Sequence, residues 1–272
     1  MAARITFMQT VLTIAGFDPS SGAGVTADLM VFAAHGLFGT SCITALTVQS
    51  TVGVRSTHPV EADVVGSTLD WLEADLPPAG IKIGMLATAS TVAVVADFLE
   101  RLREKGSRAP VVLDPVLRSS SGRELLDRAG LEVLRERLLP VVDWVTPNLE
   151  ELGVLIGRPV RERSEVADAA LMLQGMGKHL NVFATGGDLD PPDDLVLTAN
   201  GEVDWMAGER VVTRSTHGTG CALSSALLSR LVLGDDTASA SRAAKEYVAG
   251  AMRTACPIGG GHGPVNHLWP VR

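Results

Sequence analysis

The chain has 272 residues, of which 46% are hydrophobic and 4% aromatic, and its mean hydropathy is +0.24. This length is sufficient for one large α/β domain, and no stretch has the composition of a linker, so we expect a single domain over residues 1–272. The net charge is −8 and the pI about 5.2, without a basic cluster long enough to follow a phosphate backbone, which excludes nucleic acid as an expected partner.

The cysteines and the apolar segments indicate the compartment. Cys42, Cys221 and Cys256 are an odd number of cysteines without a CxxC pair, which argues against a disulfide framework and a structural zinc site. No apolar stretch approaches the length of a membrane span, and the first apolar run ends in GFDPSSGAG instead of a cleavage site. We therefore expect a cytoplasmic protein that makes no contact with a membrane.

Strand patterns and helix patterns alternate along most of the chain. Strands that alternate with helices of ten or more residues predict an α/β protein, with a mostly parallel central sheet between two helical layers. In chain order the predicted elements are strand Val11–Ala15, helix Ala27–His35, strand Ser41–Val48, helix Ala62–Leu76, strand Gly80–Met85, helix Ser90–Leu102, strand Pro110–Leu113, helix Leu131–Leu138, strand Trp144–Thr146, helix Asn148–Leu155, helix Glu165–Met176, strand Val182–Ala184, a hairpin of Leu195–Thr198 and Glu202–Trp205, a helix that begins at the Gly218–Cys221 turn, and a helix from Thr237 to Thr254.

Chemically unusual residues follow the predicted strands. In a parallel sheet flanked by helices, ligands bind outside the carboxyl ends of the strands, so these residues are expected to lie around one site. In strand order they are the loop Asp18–Gly24, then Gln49, Met85, Asp114, the pair Asn148 and Glu151, and the pair Gly186 and Gly187.

The segment STHGTGC, residues 215–221, joins a glycine-rich turn directly to a helix. The first N–H groups of a helix have no internal acceptor, so Gly218, Thr219 and Gly220 can form an anion hole suited to a phosphoryl group. Cys221 lies at its edge, where the helix terminus is expected to lower the thiol pKa below its usual value of about 8.5. The alternative is that the glycines only shape a turn and that Cys221 is a small buried residue. If only the sequence of the turn is considered, this alternative is favoured.

Seven blocks, in order and over essentially the whole chain, carry a family resemblance. They are LTIAGFDPSSGAGVTADL, GLFGTSCITALTVQST, IKIGML, VVLDPVL, TPNLEEL, THGTGCALSSAL and GHGPVNHL. Most ribokinase-like kinases end the turn in Gly-Ala-Gly-Asp, whereas this chain has Gly-Thr-Gly-Cys, which resembles the hydroxymethylpyrimidine/phosphomethylpyrimidine kinases of thiamine biosynthesis. The resemblance implies a ribokinase-like three-layer fold.

The resemblance also implies roles for the residues of the turn and of a pyrimidine pocket. Cys221 matches the family's proposed base, and residues 218–220 match its anion hole. Gly16, Asp28, Gln49 and Met85 match the pyrimidine pocket, where a carboxylate and a carboxamide complement the edge of an aminopyrimidine. The alternatives are an exposed helix charge for Asp28 and a polar strand end for Gln49.

A second set of residues matches the family's nucleotide and metal site. Asn148 and Glu151 match its NxxE feature for Mg²⁺, although the same spacing fits a helix capping box. Asp114 is a further candidate near the phosphates, with a plain Asp-Pro turn as its alternative. We assign Thr185, Gly187 and His217 to the nucleotide side as well.

Two positions depart from the pattern of the family. Ser120 and Thr185 stand where family members often have lysine, and Arg118 or Arg123 is a candidate replacement for the missing charge. The expected reaction is transfer of the ATP γ-phosphoryl group, with Mg²⁺, to hydroxymethylpyrimidine and then to its monophosphate. The alternatives are a pyridoxal or pyridoxine kinase and a pyrimidine-binding protein without turnover. Related kinases are often dimers, so a homodimer is expected.

Overall fold

The computed structural model describes residues 8–119 and 122–271, so the departure at Ser120 lies outside the described residues. Its regular elements alternate along the chain as the pattern predicts. The strands are β1 (Thr10–Phe17), β2 (Phe38–Ser50), β3 (Gly53–Pro59), β4 (Ile81–Ile83), β5 (Val111–Leu113), β6 (Trp144–Val145), β7 (Asn181–Ala184), β8 (Asp194–Leu197) and β9 (Val203–Met206). The helices are α1 (Gly24–Ala34), α2 (Ala62–Asp75), α3 (Ala89–Glu104), α4 (Arg128–Val133), α5 (Leu149–Ile156), α6 (Arg163–Gln174), α7 (Thr219–Val232) and α8 (Thr237–Arg253).

The strands form one sheet in the order β3-β2-β1-β4-β5-β6-β7-β8-β9. The pairs from β2 to β7 are parallel, while β3 at one edge and β8 and β9 at the other pair antiparallel. The central strands β4 and β5 are short and buried throughout, as expected for strands covered on both faces. The predicted α/β class with a mostly parallel sheet is confirmed.

Helices cover both faces of this sheet. Residues of α1, α7 and α8 form one apolar cluster, which includes Phe32 and Leu227, and those of α2 to α6 form the other, which includes Leu69, Leu99 and Leu152. Among the residues that the structure describes, none of these helices combines the length and apolarity that crossing a bilayer requires.

The largest difference from the predicted elements is strand β3, which pairs antiparallel with the end of β2. Its residues are half-buried or exposed on both faces, so Gly53–Pro59 does not show the alternating pattern of a half-buried strand. The predicted strand Ser41–Val48 is accordingly too short, because β2 continues to Ser50 in order to pair with β3. Helix α1 begins at Gly24 and not at Ala27, which shortens the loop after β1.

Candidate active site

A cavity of about 660 Å³ lies at the carboxyl ends of the parallel strands. All but two of the site residues expected from the sequence line it, because the parallel topology brings these strand ends to one edge of the sheet. The lining residues are Gly16, Gln49, Met85, Asp114, Asn148, Glu151, Thr185, His217, Gly218, Thr219, Gly220 and Cys221. Asp28 and Gly187 do not line it.

In the turn before α7, the N–H of Thr219 donates to the Thr216 carbonyl at 3.4 Å, whereas the N–H groups of Gly220 and Cys221 have no acceptor among the described residues and lie at the cavity. The N-cap of α7 is Gly218, in the left-handed conformation with φ 87°, and no side chain caps the helix. A Cβ atom at Gly218 would lie 1.9 Å from the carbonyl oxygen of Gly22, so both the conformation and the contact require glycine. An uncapped helix N-terminus in a cavity has the properties of an anion site.

Cys221 lies in the first turn of α7, partly buried in the cavity wall. The N–H of Gly24, the first residue of α1, donates a hydrogen bond to it. Burial raises the pKa of the Cys221 thiol to about 12, and the carboxylates of Asp28 and Asp114 add to the increase, which Lys82 opposes. The expected lowering is therefore wrong: the helix terminus is evident from the sequence, but the burial of the thiol between two carboxylates is not.

Asp28 lies below the cavity and is completely buried. Its Oδ1 accepts hydrogen bonds from Lys82 Nζ at 2.9 Å and Ser225 Oγ at 2.8 Å. Its Oδ2 accepts from Lys82 Nζ at 2.9 Å and Thr13 Oγ1 at 2.6 Å. This corrects the assignment of Asp28 to the pyrimidine pocket, since internal donors already occupy both oxygens and the side chain does not reach the cavity.

Lys82 is a residue of the site that the sequence reasoning missed. It lies in β4 between two buried isoleucines, is itself completely buried, and lines the cavity. Burial alone would lower the pKa of Lys82, but the charges of Asp28, Cys221 and Asp114, together with the hydrogen bond to Asp28, outweigh burial and raise the pKa above its usual value. The available signal was a lysine inside the strand IKI, because a buried lysine requires an anionic partner.

Gly16, Met85 and Gln49 lie together on one side of the cavity. A Cβ atom at Gly16 would be 3.0 Å from Met85 Sδ, so the end of β1 and the residue after β4 are in close contact. The side chain of Gln49 is held by Thr47, whose hydroxyl donates to Oε1 at 3.1 Å, and its Nε2 lies 3.2 Å from His217 Nε2. A bound ligand would therefore meet the thioether of Met85, the exposed backbone of Gly16 and the side-chain amide of Gln49.

His217 connects this side to the loop after β1. Its Nε2 lies 2.7 Å from Asp18 Oδ2, which also accepts a hydrogen bond from the N–H of Ala23, while Asp18 Oδ1 accepts from the N–H and the hydroxyl of Ser20. Burial would raise the pKa of Asp18, but the hydrogen bonds from His217 and Ser20 hold it below its usual value. The imidazole thus lies between Asp18 and Gln49, and its expected contact with the nucleotide stays a prediction.

Asp114 and Glu151 form the acidic side of the cavity. The capping box is present: Asn148 Oδ1 accepts from the N–H of Glu151 at 2.8 Å, and Glu151 Oε2 accepts from the N–H of Asn148 at 3.0 Å. Burial and the charge of Asp114 raise the pKa of Glu151 to about 8, and burial raises that of Asp114 to about 6 against the effect of Lys82.

Two neighbouring buried carboxyl groups that hold protons fit a divalent cation, which would stabilise their ionised forms. Among the described residues, no group of three His, Cys, Asp or Glu side chains could ligate a metal directly. Asn148 and Glu151 therefore stay predicted metal residues, with the remaining ligands expected from water and from phosphate oxygens.

The residues expected to contact the nucleotide are only partly brought together. Thr185 pairs with Asn148 in an isolated parallel bridge and lines the cavity. Gly187 is exposed and lies outside the lining, so its contact with the nucleotide stays a prediction. Of the two arginines, Arg118 lines the cavity, with Nη1 2.6 Å from Glu150 Oε1, whereas Arg123 Nη1 donates to a backbone carbonyl of β3.

Comparison with known proteins decides the family. The profile described as phosphomethylpyrimidine kinase matches residues 18–266. The chain belongs to this family. It is 38% identical over 264 residues to the hydroxymethylpyrimidine/phosphomethylpyrimidine kinase of Haemophilus influenzae, which covers 96% of this chain and 97% of that protein. It is also 39% identical over 260 residues to the thiamine biosynthesis bifunctional protein ThiED of Geobacter sulfurreducens, covering 95% of this chain and only about half, 52%, of that longer protein.

A solved structure of a related kinase has the same fold. The pyridoxal kinase of Staphylococcus aureus in complex with ADP superimposes with a TM-score of 0.86 at 28% identity, covering 98% of this chain and 96% of that one. The predicted ribokinase-like fold and the prediction of a kinase are confirmed. The roles of individual residues in the cavity stay predictions.

Proposed function

We propose that the protein phosphorylates 4-amino-5-hydroxymethyl-2-methylpyrimidine with ATP, and then its monophosphate, as a cytoplasmic kinase of thiamine biosynthesis. One observation carries the proposal: the uncapped N-terminus of α7 opens into the same cavity as Gly16, Gln49 and Met85. A ring bound against these residues and a phosphoryl group bound at the helix terminus would meet within one cavity. We further propose that residues 1–272 form a single kinase domain, which the one continuous sheet supports.

The pyrimidine would bind between the Met85 thioether and the amide of Gln49. An aminopyrimidine presents an amine donor beside ring-nitrogen acceptors, which an amide can complement with its oxygen and its NH₂ group. The Thr47 hydroxyl donates to Gln49 Oε1 and so sets the orientation of that amide. A ring without the amine would leave these polar groups unpaired, which is the basis of the proposed selectivity.

ATP would place its phosphates between the α7 terminus and the acidic side. Asn148, Glu151 and Asp114 are the residues proposed to hold Mg²⁺ there, and Thr185 lies beside them. The cation, when bound, neutralises phosphate charge and helps to orient the transferred group. The N–H groups of the first turn of α7 would stabilise the negative charge of the phosphoryl group during transfer.

Cys221 is the proposed proton acceptor. The substrate hydroxyl would lose its proton to the Cys221 thiolate while its oxygen bonds to the γ-phosphorus and ADP leaves. Because burial holds the proton on the ligand-free thiol, the thiolate is a small fraction of the free enzyme at neutral pH, so kcat/KM should rise with pH. The Cys221→Ala variant should lose most of its turnover and still bind the pyrimidine, and full activity in that variant would remove the thiol from the mechanism.

The decisive experiment offers ATP and Mg²⁺ with hydroxymethylpyrimidine, its monophosphate and pyridoxal in parallel. We expect the highest kcat/KM for a pyrimidine, measured by ADP release. Pyridoxal is the second candidate, because the S. aureus pyridoxal kinase is structurally similar over nearly the whole chain. A higher kcat/KM for pyridoxal would overturn the substrate assignment, and saturable pyrimidine binding without ADP release would identify a binding protein.

We also propose a homodimer formed through the β2–β3 hairpin. The side chains of Leu46 and Val48 on β2 and of Val52 at the turn are about half exposed or more. Together they form an apolar surface near the edge of the sheet, of the kind that a second subunit can cover. Light scattering after size exclusion should give twice the chain mass. The Val48→Asp variant should give a monomer, and a wild-type monomer at micromolar concentration would exclude this interface.

A further inference from the structure

The ion pair of Lys82 and Asp28 lies in the interior of the protein, where charges are costly. Both side chains are completely buried, and their charged atoms are 2.9 Å apart. Lys82 lies in a strand between Ile81 and Ile83, which are also fully buried. A buried ion pair adds little to stability compared with apolar side chains of the same volume. Its presence beside a cavity therefore indicates a task other than holding the fold together.

Two helices bring this ion pair to Cys221. On α7, Ser225 follows Cys221 by one helical turn and donates from Oγ to Asp28 Oδ1 at 2.8 Å. On α1, Asp28 follows Gly24 by one turn, and the N–H of Gly24 donates to the Cys221 sulfur. The sulfur and the carboxylate thus occupy successive turns of the same helix–helix contact.

The ammonium group has space on the cavity side of this contact. A Cβ atom at Gly84 would lie 2.9 Å from Lys82 Nζ, so the glycine leaves the room that the end of the lysine side chain occupies. Lys82 and Cys221 line the same cavity, and Asp114 lines it between them and the proposed metal residues. Asp28 faces Lys82 from below.

We propose that Lys82 is a positioning residue. Asp28 holds its ammonium group near Cys221, and this positive charge stabilises the thiolate that forms when the Cys221 thiol releases its proton to water. The resulting thiolate is then the acceptor for the hydroxyl proton of the substrate. This assignment rests on the proposed function for its role in turnover, whereas the effect on the thiol is a property of the ligand-free protein.

The charged groups around Cys221 come from three elements and act in opposite directions. Lys82 on β4 favours the thiolate, as does the N–H of Gly24 on α1. Asp28 on α1 and Asp114 after β5 disfavour it. Removing the charge of Asp28 should therefore ease deprotonation, and removing that of Lys82 should hinder it. A merely structural pair would not separate the two variants in this way.

The test measures the rate at which iodoacetamide modifies Cys221 between pH 6 and pH 10.5, without any substrate, by mass spectrometry of the peptide that contains it. Only the thiolate reacts, so the rate reports the fraction of thiolate. Asp28→Asn should move the profile down by about one pH unit and Lys82→Met should move it up by about one, because each change removes one charge near the sulfur. At a common pH the two variants should differ roughly 100-fold in rate.

Three further variants and an internal control sharpen the result. Lys82→Arg keeps the charge and should stay near the wild-type profile, and the double variant Asp28→Asn/Lys82→Met should lie between the two single variants. Cys256 is exposed, and its modification rate in the same samples corrects for the reagent. Burial alone favours the neutral amine of Lys82, so Asp28→Asn by itself can also remove the lysine charge. The double variant Asp28→Asn/Lys82→Arg keeps a guanidinium, which stays protonated, and therefore carries the test of the Asp28 charge if Lys82→Met does not fold.

The proposal is overturned if Lys82→Met fails to slow the reaction relative to Cys256, or if Asp28→Asn/Lys82→Arg does not react faster than Lys82→Arg. Kinetics then separate it from the proposed function. In an active kinase, Lys82→Met should lower kcat at least tenfold with the KM for the pyrimidine nearly unchanged. A protein that phosphorylates none of the three substrates, but shows the opposite shifts at Cys221, would refute the function and retain the electrostatic role of Lys82.

Discussion

Two helices, α7 and α5, begin at the wall of the same cavity, and their first turns differ in one respect. Helix α7 follows a glycine that offers no side chain, so its first N–H groups have no cap. Helix α5 follows Asn148, whose side chain and that of Glu151 satisfy each other's backbone N–H groups in a capping box. Both helices have the same backbone dipole, directed into the cavity.

The cap therefore decides which ion each helix start can attract. Unsatisfied N–H groups at α7 favour an anion, and a glycine cap allows close approach of a phosphoryl group. At α5 the capping box uses the N–H groups of Asn148 and Glu151, and the carboxylate of Glu151 brings negative charge next to Asp114, which favours a cation. One cavity thus has an anion end and a cation end, as transfer of a phosphoryl group with Mg²⁺ requires.

The strongest test of this contrast replaces the glycine cap. Gly218→Ala should lower kcat/KM at least about 100-fold, because a Cβ 1.9 Å from the Gly22 carbonyl must displace the open N–H groups. The left-handed conformation adds a loss of stability of about 1–2 kcal/mol. Steady-state kinetics and urea unfolding measure the two effects.

The matched control is Gly234→Ala, at φ 99° with no atom near the new Cβ. It should show a similar loss of stability with normal kinetics. If Gly218→Ala keeps its kcat/KM, the open helix terminus is not the phosphoryl site.

The next test removes the cap of α5. Asn148→Ala should cost about 1 kcal/mol of stability and should raise the Mg²⁺ concentration needed for half-maximal activity, since the capping box also holds Glu151 in place. Asp236→Ala removes the N-cap of α8, which accepts from the N–H of Ser239, and should cost the same stability without changing the Mg²⁺ requirement. An equal Mg²⁺ requirement in both variants would assign Asn148 to capping alone.

The ring of strand-end residues was predictable because it depends only on topology. Once strands and helices alternate, Gln49, Met85, Asp114 and Asn148 must meet at one edge of the sheet. The glycine turn before α7 was equally visible, since glycine and a helix start are local features. Strand β3 was not, because half-exposed residues on both faces leave no periodic pattern.

The electrostatic partners of the site were not predictable, because they come from different parts of the chain. The resemblance places Asp28 in the pyrimidine pocket, although Lys82, 54 residues later, binds its carboxylate. The helix start alone predicts a lowered pKa for the Cys221 thiol, whereas burial and two carboxylates raise it. Sequence reasoning identified the residues that line the cavity, and the structure was needed to find which charges face one another.

The acidic end also predicts how the ligand-free protein responds to pH. Asp114 and Glu151 have pKa values of about 6 and about 8 in the folded protein, above their ordinary values of 3.8 and 4.5. Between about pH 4 and pH 8 the folded state therefore holds protons that the unfolded chain releases, so stability falls as the pH rises. Between pH 6 and pH 8 this linkage amounts to roughly 2.7 kcal/mol, so the melting temperature should drop by about 5–10 °C without ligands.

Glu151→Gln should confine this drop to the range below about pH 6, where Asp114 titrates. Glu165→Gln is the matched control, because Glu165 occupies the same capping-box position at α6 but is exposed, and its pKa is lowered by hydrogen bonds from the N–H groups of Arg161 and Glu162. It should leave the drop between pH 6 and pH 8 unchanged. A melting temperature that rises over this range would contradict the raised pKa of Glu151.

The smallest expected effect lies in the loop that supports the anion end. Ser21 has a φ of 59°, a left-handed conformation that glycine adopts without strain, and its N–H donates to the Asp18 carbonyl. Ser21→Gly should stabilise the protein by about 0.5 kcal/mol, because relief of roughly 1 kcal/mol of strain is partly offset by the freer unfolded chain. Ala87→Gly, at φ 69°, should gain less, since it also loses contacts beside Met85. Urea unfolding measures both changes, and kinetics should stay normal in Ser21→Gly because its side chain is exposed outside the cavity lining. A loss of stability in Ser21→Gly would mean that the serine side chain itself stabilises the turn. The position of the Gly22 carbonyl next to Gly218 would then depend on that side chain as well as on the backbone conformation.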